Sequence, residues 1–261
     1  MNLGLKEKTA LVLGGGGGLG RAISIALASE GANVAFADIE PDAIAGTEAA
    51  LTEIGGNRLG LVWDIADLSQ IAANISKIES VLGPIDILVN ITGGPPPTPA
   101  SSQDPALWSK HFQSMVLSVI AITDRVLPSM RTRHWGRIIT STSSGVVAPI
   151  PNLGMSNALR LSLVGWSKTL AREVGKDGIT ANIVLPGRIA TGRITFLDEA
   201  KAKREGRTVE DVSAESTATI PLGRYGKPEE YADVVTFLAS ERAAYLTGSV
   251  IRVDGGLIAS V

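Results

Sequence analysis

Short apolar runs alternate with longer stretches of helical spacing along most of the chain. Residues 9–13 form a run of the buried-strand type, and the glycines Gly14 to Gly18 end it abruptly before Leu19-Gly20 and a helical pattern over residues 21–28. That helix is expected to stop near Glu30, with Gly31 as its C-terminal cap, and residues 33–37 read as a second strand ending at Asp38. A second helix over 41–54 closes on Gly55-Gly56. A third strand over 58–63 runs into Asp64-Ile65, and a third helix covers 68–82. Residues 85–89 predict a fourth strand, running into Asn90-Ile91-Thr92-Gly93-Gly94, and residues 104–130 a long helical stretch interrupted late by Pro128. A fifth strand over 137–140 leads into the hydroxyl-rich run Ser141 to Gly145. A helix over 152–174, a sixth strand over 180–185 ending at Pro186-Gly187, a helix over 227–240 and a strand over 249–253 before Asp254-Gly255-Gly256 complete the pattern.

Alternation of this kind predicts parallel strands joined by crossover helices, a doubly wound α/β domain of about seven strands with helices on both faces. Ligands in such sheets sit beyond the carboxyl ends of the strands. The rule selects the glycine loop, Asp38, Asp64 and Asn90 to Gly93 as candidate contacts. Strand, glycine turn and helix in that order suit a pyrophosphate, because glycine lets the backbone approach closely and the helix N-terminus presents free N–H groups. The bland alternative is a flexible loop. An acidic side chain about twenty residues beyond the glycines accepts hydrogen bonds from ribose hydroxyls and repels a 2′-phosphate, so Asp38 points to NAD rather than NADP. Two segments stand outside the alternation. Residues 95–99, Pro-Pro-Pro-Thr-Pro, are stiff and extended, and read equally as a loop around the site or a plain surface connection. Residues 191–221 are rich in Lys, Arg, Glu, Asp and Ala, and read either as a helical flap over the substrate cleft or as a solvated excursion.

Composition narrows the classes. The 261 residues fit one domain, 1–261, with neither repeat nor linker. Apolar residues make up 44% and charged ones 19%, and the net charge of −2 gives no polyanion-binding surface, so no nucleic-acid partner is expected. With no cysteine there is no disulfide, thiolate nucleophile or thiolate-held metal, and two histidines, His111 and His134, are too few for a histidine-based metal site. His111 and Trp108 read as packing residues. The N-terminus has no long apolar core and no apolar run approaches a membrane span, so a cytoplasmic protein is the expectation and no membrane partner is foreseen.

The assembled motifs resemble those of the short-chain dehydrogenase/reductase family over almost the full length. Gly14, Gly18, Leu19 and Gly20 look like part of its TGxxxGxG loop, with Leu13 where threonine is usual. Asn90 and Gly93 look like the ends of its NNAG. Pro186-Gly187-Arg188-Ile189-Ala190-Thr191 is similar to the PGxIxT segment beside the nicotinamide, and Thr247-Gly248 with Val253 to Gly256 resembles the C-terminal signature. The resemblance implies a Rossmann-type fold, a homotetramer or homodimer, a bound nicotinamide dinucleotide contacted also by Asp64 and Ile65, and an oxidoreductase acting on a carbonyl/alcohol pair of the 3-oxoacyl-reductase kind.

The family's catalytic positions fall elsewhere. Its serine lands on Ser143. The tyrosine thirteen residues on is Ser156, the lysine four beyond that is Arg160, and the asparagine of the preceding long helix is Met115. In the family the tyrosine phenol protonates the alkoxide as hydride arrives from the nicotinamide, its pKa near 10 lowered by the lysine. Serine is a far weaker acid, and arginine, with a pKa above about 12, cannot shuttle a proton. Loss of a positioned general acid costs ~10²–10⁴-fold, while holding donor and acceptor together is a separate contribution. The expectation is an NAD(H)-dependent oxidoreductase in which Ser143, Ser156 and Arg160 carry an altered proton-donating set with water. Arg160 and Arg188 would hold a carboxylate or polarise a carbonyl, Ser143 sharing the substrate contact. The alternative is a catalytically degenerate NAD(H)-binding sensor or scaffold.

Overall fold

In a computed structural model, residues 2–261 are described. The seven strands are β1 (Thr9–Leu13), β2 (Asn33–Asp38), β3 (Arg58–Val62), β4 (Ile87–Asn90), β5 (Gly136–Ser141), β6 (Ile179–Pro186) and β7 (Val250–Val253). They form one parallel sheet in the order β3-β2-β1-β4-β5-β6-β7. The helices are α1 (Gly18–Ser29), α2 (Pro41–Ile54), α3 (Ile71–Leu82), α4 (Pro105–Phe112), α5 (Ser118–Arg133), α6 (Gly154–Val174), α7 (Gly192–Glu205), α8 (Val209–Ala218) and α9 (Pro228–Ala239).

Strand side chains alternate between two cores. Leu11, Leu13, Ala35 and Leu88 face α3, α5 and α6, where they meet Ile75, Ile78, Ile122, Val126 and Leu170. Ala10, Val12, Val34, Phe36 and Val89 face α1, α2 and α9, against Ile23, Leu27, Leu51, Val235 and Leu238. Burial on both faces is why the strands read as continuous apolar runs, as parallel sheets do. A third cluster, Met115, Val116 and Val119 with Met155, Leu159 and Leu163, packs the π-turn that follows α4 and the start of α5 onto α6.

The long helical stretch differs from its prediction. Pro128 lies inside α5 without ending it, and the break comes earlier, at a π-turn over Gln113–Leu117. Met115 sits in that turn, 1% exposed. The other boundary shifts are small: residues 68–70 are one turn of 3-10 helix ahead of α3, and β4 begins at Ile87 rather than at 85. Residues 191–221 do carry two helices, α7 and α8, in place of a strand.

Candidate active site

The carboxyl ends of β1, β4, β5 and β6 open on one cavity of about 760 Å³. Of the positions singled out from the sequence, Gly18, Leu19, Gly20, Gly93, Ser143, Ser156, Arg160, Pro186, Gly187, Arg188, Ile189 and Thr191 line it together. Gly14, Asp38, Asp64, Ile65 and Asn90 do not.

The glycine loop is shaped as a cradle. Gly14 has φ +67°, in the region that disfavours side chains, and a Cβ there would stand 2.8 Å from the Ile91 carbonyl oxygen. At Gly20 a Cβ would stand 2.0 Å from the carbonyl oxygen of Gly14. A Cβ at Gly17 would meet nothing within 4 Å, and that residue caps α1 without a side chain, so the helix N-terminus is open to a ligand. Asp38, at the end of β2, is tied to this loop: its Oδ2 accepts from the Gly16 N–H at 3.1 Å and its Oδ1 from the Ile39 N–H at 2.8 Å. Asp64, exposed after β3, has a carboxylate that accepts from Ala66 N–H at 2.9 Å, with Ile65 half-buried beside it. Asn90 is fully buried behind the cavity: its Nδ2 donates to Thr140 Oγ1 at 3.2 Å, joining β4 to β5, and its Oδ1 has no partner among the described residues.

Ser143 caps the 3-10 turn after β5, accepting from the Gly145 N–H at 3.1 Å. Ser156, 7% exposed, lies in the first turn of α6, and Arg160 follows one turn later on the same face. Arg160 reaches across to the end of β4, donating through Nη2 to the carbonyls of Thr92 (3.2 Å) and Gly93 (2.9 Å), with Thr92 Oγ1 3.5 Å from Nη1. Burial, with Arg193 beside it, lowers the Arg160 guanidinium to about 10, below the range expected from its residue type, yet it stays charged at neutral pH. Behind the wall, Tyr231 of α9 donates to Ser141 Oγ at 2.7 Å, and burial pushes its phenol up.

The segment after β6 is held from two sides. Gly187 approaches the C-terminal turn so closely that a Cβ would stand 2.5 Å from Asp254 Cα, and its N–H bonds the Val253 carbonyl at 2.9 Å. Arg188 donates to Asp198 Oδ1 of α7 at 3.2 Å, and Tyr225 donates to Asp198 Oδ2 at 2.6 Å. Asp198 is 4% exposed. Sequence reasoning passed over it because a carboxylate in a charge-rich helix reads as solvated. It also passed over Arg193, the second residue of α7, which lines the cavity and donates to the Pro95 carbonyl at 3.1 Å. The proline-rich segment is an extended piece of this rim: Pro97 lines the cavity, and Thr98 exchanges backbone bonds with Asn152 and Gly154.

A match over residues 15–258 is found to the family described as Enoyl-(Acyl carrier protein) reductase. Nodulation protein G of Azospirillum brasilense is 36% identical over 257 residues, 97% of this chain and 99% of the relative. The 3-oxoacyl-[acyl-carrier-protein] reductase FabG of Escherichia coli (strain K12) is 35% identical over 257 residues, 98% of this chain and 99% of its own. The chain belongs to the short-chain dehydrogenase/reductase family. Among solved structures, the L-sorbose reductase of Gluconobacter frateurii, complexed with NADPH and L-sorbose, superposes with a TM-score of 0.94 at 30% identity, covering 100% of both chains. In a short-chain dehydrogenase/reductase the carboxyl ends of the strands are where a dinucleotide is expected, and the cradle around Gly14 to Gly20 has the free N–H groups and the absent side chains to receive one. Among the described residues no group of His, Cys, Asp and Glu could hold a metal, and no helix is long and apolar enough to cross a membrane.

Proposed function

We propose that this chain is an NAD(H)-dependent oxidoreductase acting on a carbonyl/alcohol pair of the 3-oxoacyl-reductase kind, with Ser143 kept at the family's serine position and Ser156 and Arg160 in place of its tyrosine and lysine. The observation that carries it is the convergence of the phosphate cradle, those three side chains and the Pro186 to Thr191 segment on one cavity. A bound nicotinamide would supply or accept the hydride. Ser143 and Ser156 donate hydrogen bonds to the carbonyl oxygen, Arg160 places positive charge near the developing oxyanion, and the proton is drawn from water. Met115, inside an apolar cluster, gives no polar contact in place of the family's asparagine. Helices α7 and α8 act as the flap over the substrate.

NAD(H) is preferred here because the Asp38 carboxylate, fixed by the Gly16 and Ile39 N–H groups at the end of β2, would face a 2′-phosphate with like charge. The sorbose reductase complex holds NADPH, so the NAD(H) preference proposed for this chain rests on the Asp38 carboxylate alone. The substrate is a small molecule, and the protein works as a homotetramer or homodimer in the cytoplasm.

A second reading, a dinucleotide-binding sensor or scaffold, is favoured by one observation: Arg160 already bonds the Thr92 and Gly93 carbonyls, the work of a strut. Fluorescence titration followed by cofactor oxidation against a panel of ketones and oxo acids separates the two. NADH is expected to bind at least ~10-fold more tightly than NADPH, and Asp38→Ser to erase that ratio. Turnover on any oxo compound supports the enzyme. Tight NADH binding without turnover, with turnover restored by Ser156→Tyr and Arg160→Lys together, supports the sensor.

A further inference from the structure

Six ionisable side chains line the cavity: Arg160, Arg188, Arg193, Asp198, Lys201 and Arg204. Five are cationic, so the cavity is far more positive than a chain of net charge −2 would suggest. Three of the cations are already neutralised: Arg188 by Asp198 at 3.2 Å, Lys201 by Glu215 at 3.0 Å, and Arg204 by Glu205 at 3.2 Å. Neither Arg160 nor Arg193 forms an ion pair with a carboxylate among the described residues. Their partners are main-chain carbonyls of Thr92, Gly93 and Pro95 and the hydroxyl of Thr92.

The two guanidinium groups flank one point. A methyl group built on Gly94 would stand 3.4 Å from Nη2 of Arg160 and 3.6 Å from Nη2 of Arg193. Each guanidinium carries five N–H donors, and the carbonyl contacts leave donors over on both. Arg193 is further held by its position over the Phe196 ring, 5.5 Å from the centroid. Two like charges brought together in a partly buried wall repel: Arg160 is lowered from the usual arginine range by burial first and then by Arg193, and Arg193 is lowered by burial. An anion placed between them relieves that repulsion and takes up the spare donors.

We infer that Arg160 and Arg193 form a two-guanidinium seat for a carboxylate carried by the substrate. The inference rests on the oxidoreductase reading and extends it to a substrate class, oxo acids and hydroxy acids. A substrate carboxylate rather than the cofactor's pyrophosphate is the occupant because the phosphate cradle lies at the end of β1, whereas Arg160 rises from α6, the helix that carries Ser156. The pairing of Arg188 with Asp198 leaves Arg193 as the second cation.

The test uses the whole chain, with and without NADH, and reads binding by calorimetry. Malonate is the carboxylate probe, dimethyl malonate its uncharged counterpart, and inorganic phosphate the rival anion. Malonate is expected to bind, its diester not to bind, and phosphate to bind more weakly than malonate. Arg193→Met should weaken malonate at least ~10-fold, in line with the loss of a charge-assisted pair, and leave NADH affinity within about 2-fold. Arg193→Lys, which keeps the charge and the contact over the ring, should recover part of the malonate binding and guards against a folding defect in the first variant. Equal binding of acid and diester, preference for phosphate, or a loss of NADH affinity in Arg193→Met with malonate unaffected overturns the seat. Malonate binding that depends on Arg193 in a chain that fails to bind NADH leaves the seat standing and sinks the dehydrogenase reading.

Discussion

A β-carbon added at Gly20 would stand 2.0 Å from the carbonyl oxygen of Gly14 and 2.7 Å from its carbonyl carbon, both backbone atoms held by the turn. Gly20→Ala must therefore shift the loop itself, and the expected outcome is a loss of ~1–3 kcal/mol in stability with a large fall in NADH affinity. Gly17→Ala is the contrasting case. A Cβ there would meet nothing within 4 Å and the φ of −154° is extended, so melting within roughly a degree or two of the parent is expected. Parallel thermal melts and NADH titrations of the two variants check this, and equal damage from both would mean that the loop tolerates no side chain anywhere. Five glycines in a row were plain in the sequence. Which of these glycines and Gly20 are indispensable was not, because the answer lies, for Gly20, in a carbonyl six residues back and, for Gly14, in Ile91, which the chain brings alongside only after β4 has formed.

Helix α7 shows the same limit at the scale of an element. Its charged composition reads as a solvated surface, yet Asp198 is buried and takes hydrogen bonds from both Arg188 and Tyr225, fastening the helix over the segment that follows β6. Asp198→Ala strands a guanidinium and a phenol, and Tyr225→Phe removes one of the two bonds. Losses of ~2–4 and ~1 kcal/mol respectively are expected in urea unfolding. The exposed pairs are a control: Glu215→Gln, which breaks contacts to Lys201 and Arg207, should change stability by less than ~1 kcal/mol. If Glu215→Gln proved the more damaging, α7 would be held by its outer face instead. Helix type was legible from apolar spacing almost everywhere. The π-turn over Gln113–Leu117 was not, since it leaves the composition unchanged and only packing of Met115 and Val116 on Met155 and Leu159 reveals it.

Over the whole molecule, the parallel, doubly wound architecture followed from the alternation of strand and helix patterns, whereas the charge balance of the cavity could not, because it depends on which cations find carboxylates. An exposed pairing away from the cavity sets part of the acid response. Glu230 accepts both Nη atoms of Arg224, at 2.8 and 2.6 Å, and the Lys227 N–H at 2.7 Å, and these hold its carboxyl at about 2, well below the ordinary 4.5. A depressed carboxylate stabilises the fold above its unfolded pKa and loses that contribution as pH falls toward the folded value. Melting temperatures of the parent and Glu230→Gln should therefore differ above about pH 4.5 and converge on the way down to pH 2. A gap that stays constant across that window would remove Glu230 from the acid response.

The registered contact between β1 and β4 is short, pairing Ala10 with Ile87, Leu11 with Leu88 and Val12 with Val89. It is also the place where strand order reverses, so that β1 to β3 lie on one side of it and β4 to β7 on the other. The cavity straddles this seam, lined by Gly17 to Gly20 from one side and by Ser143, Ser156 and Arg160 from the other. A molecule bound there is a staple between the early and late parts of the chain, and it recognises only the joined form. By mass action, occupancy at a hundred times the dissociation constant adds about 2.7 kcal/mol to the folded state, and only a chain in which the two halves of the sheet are joined gains it.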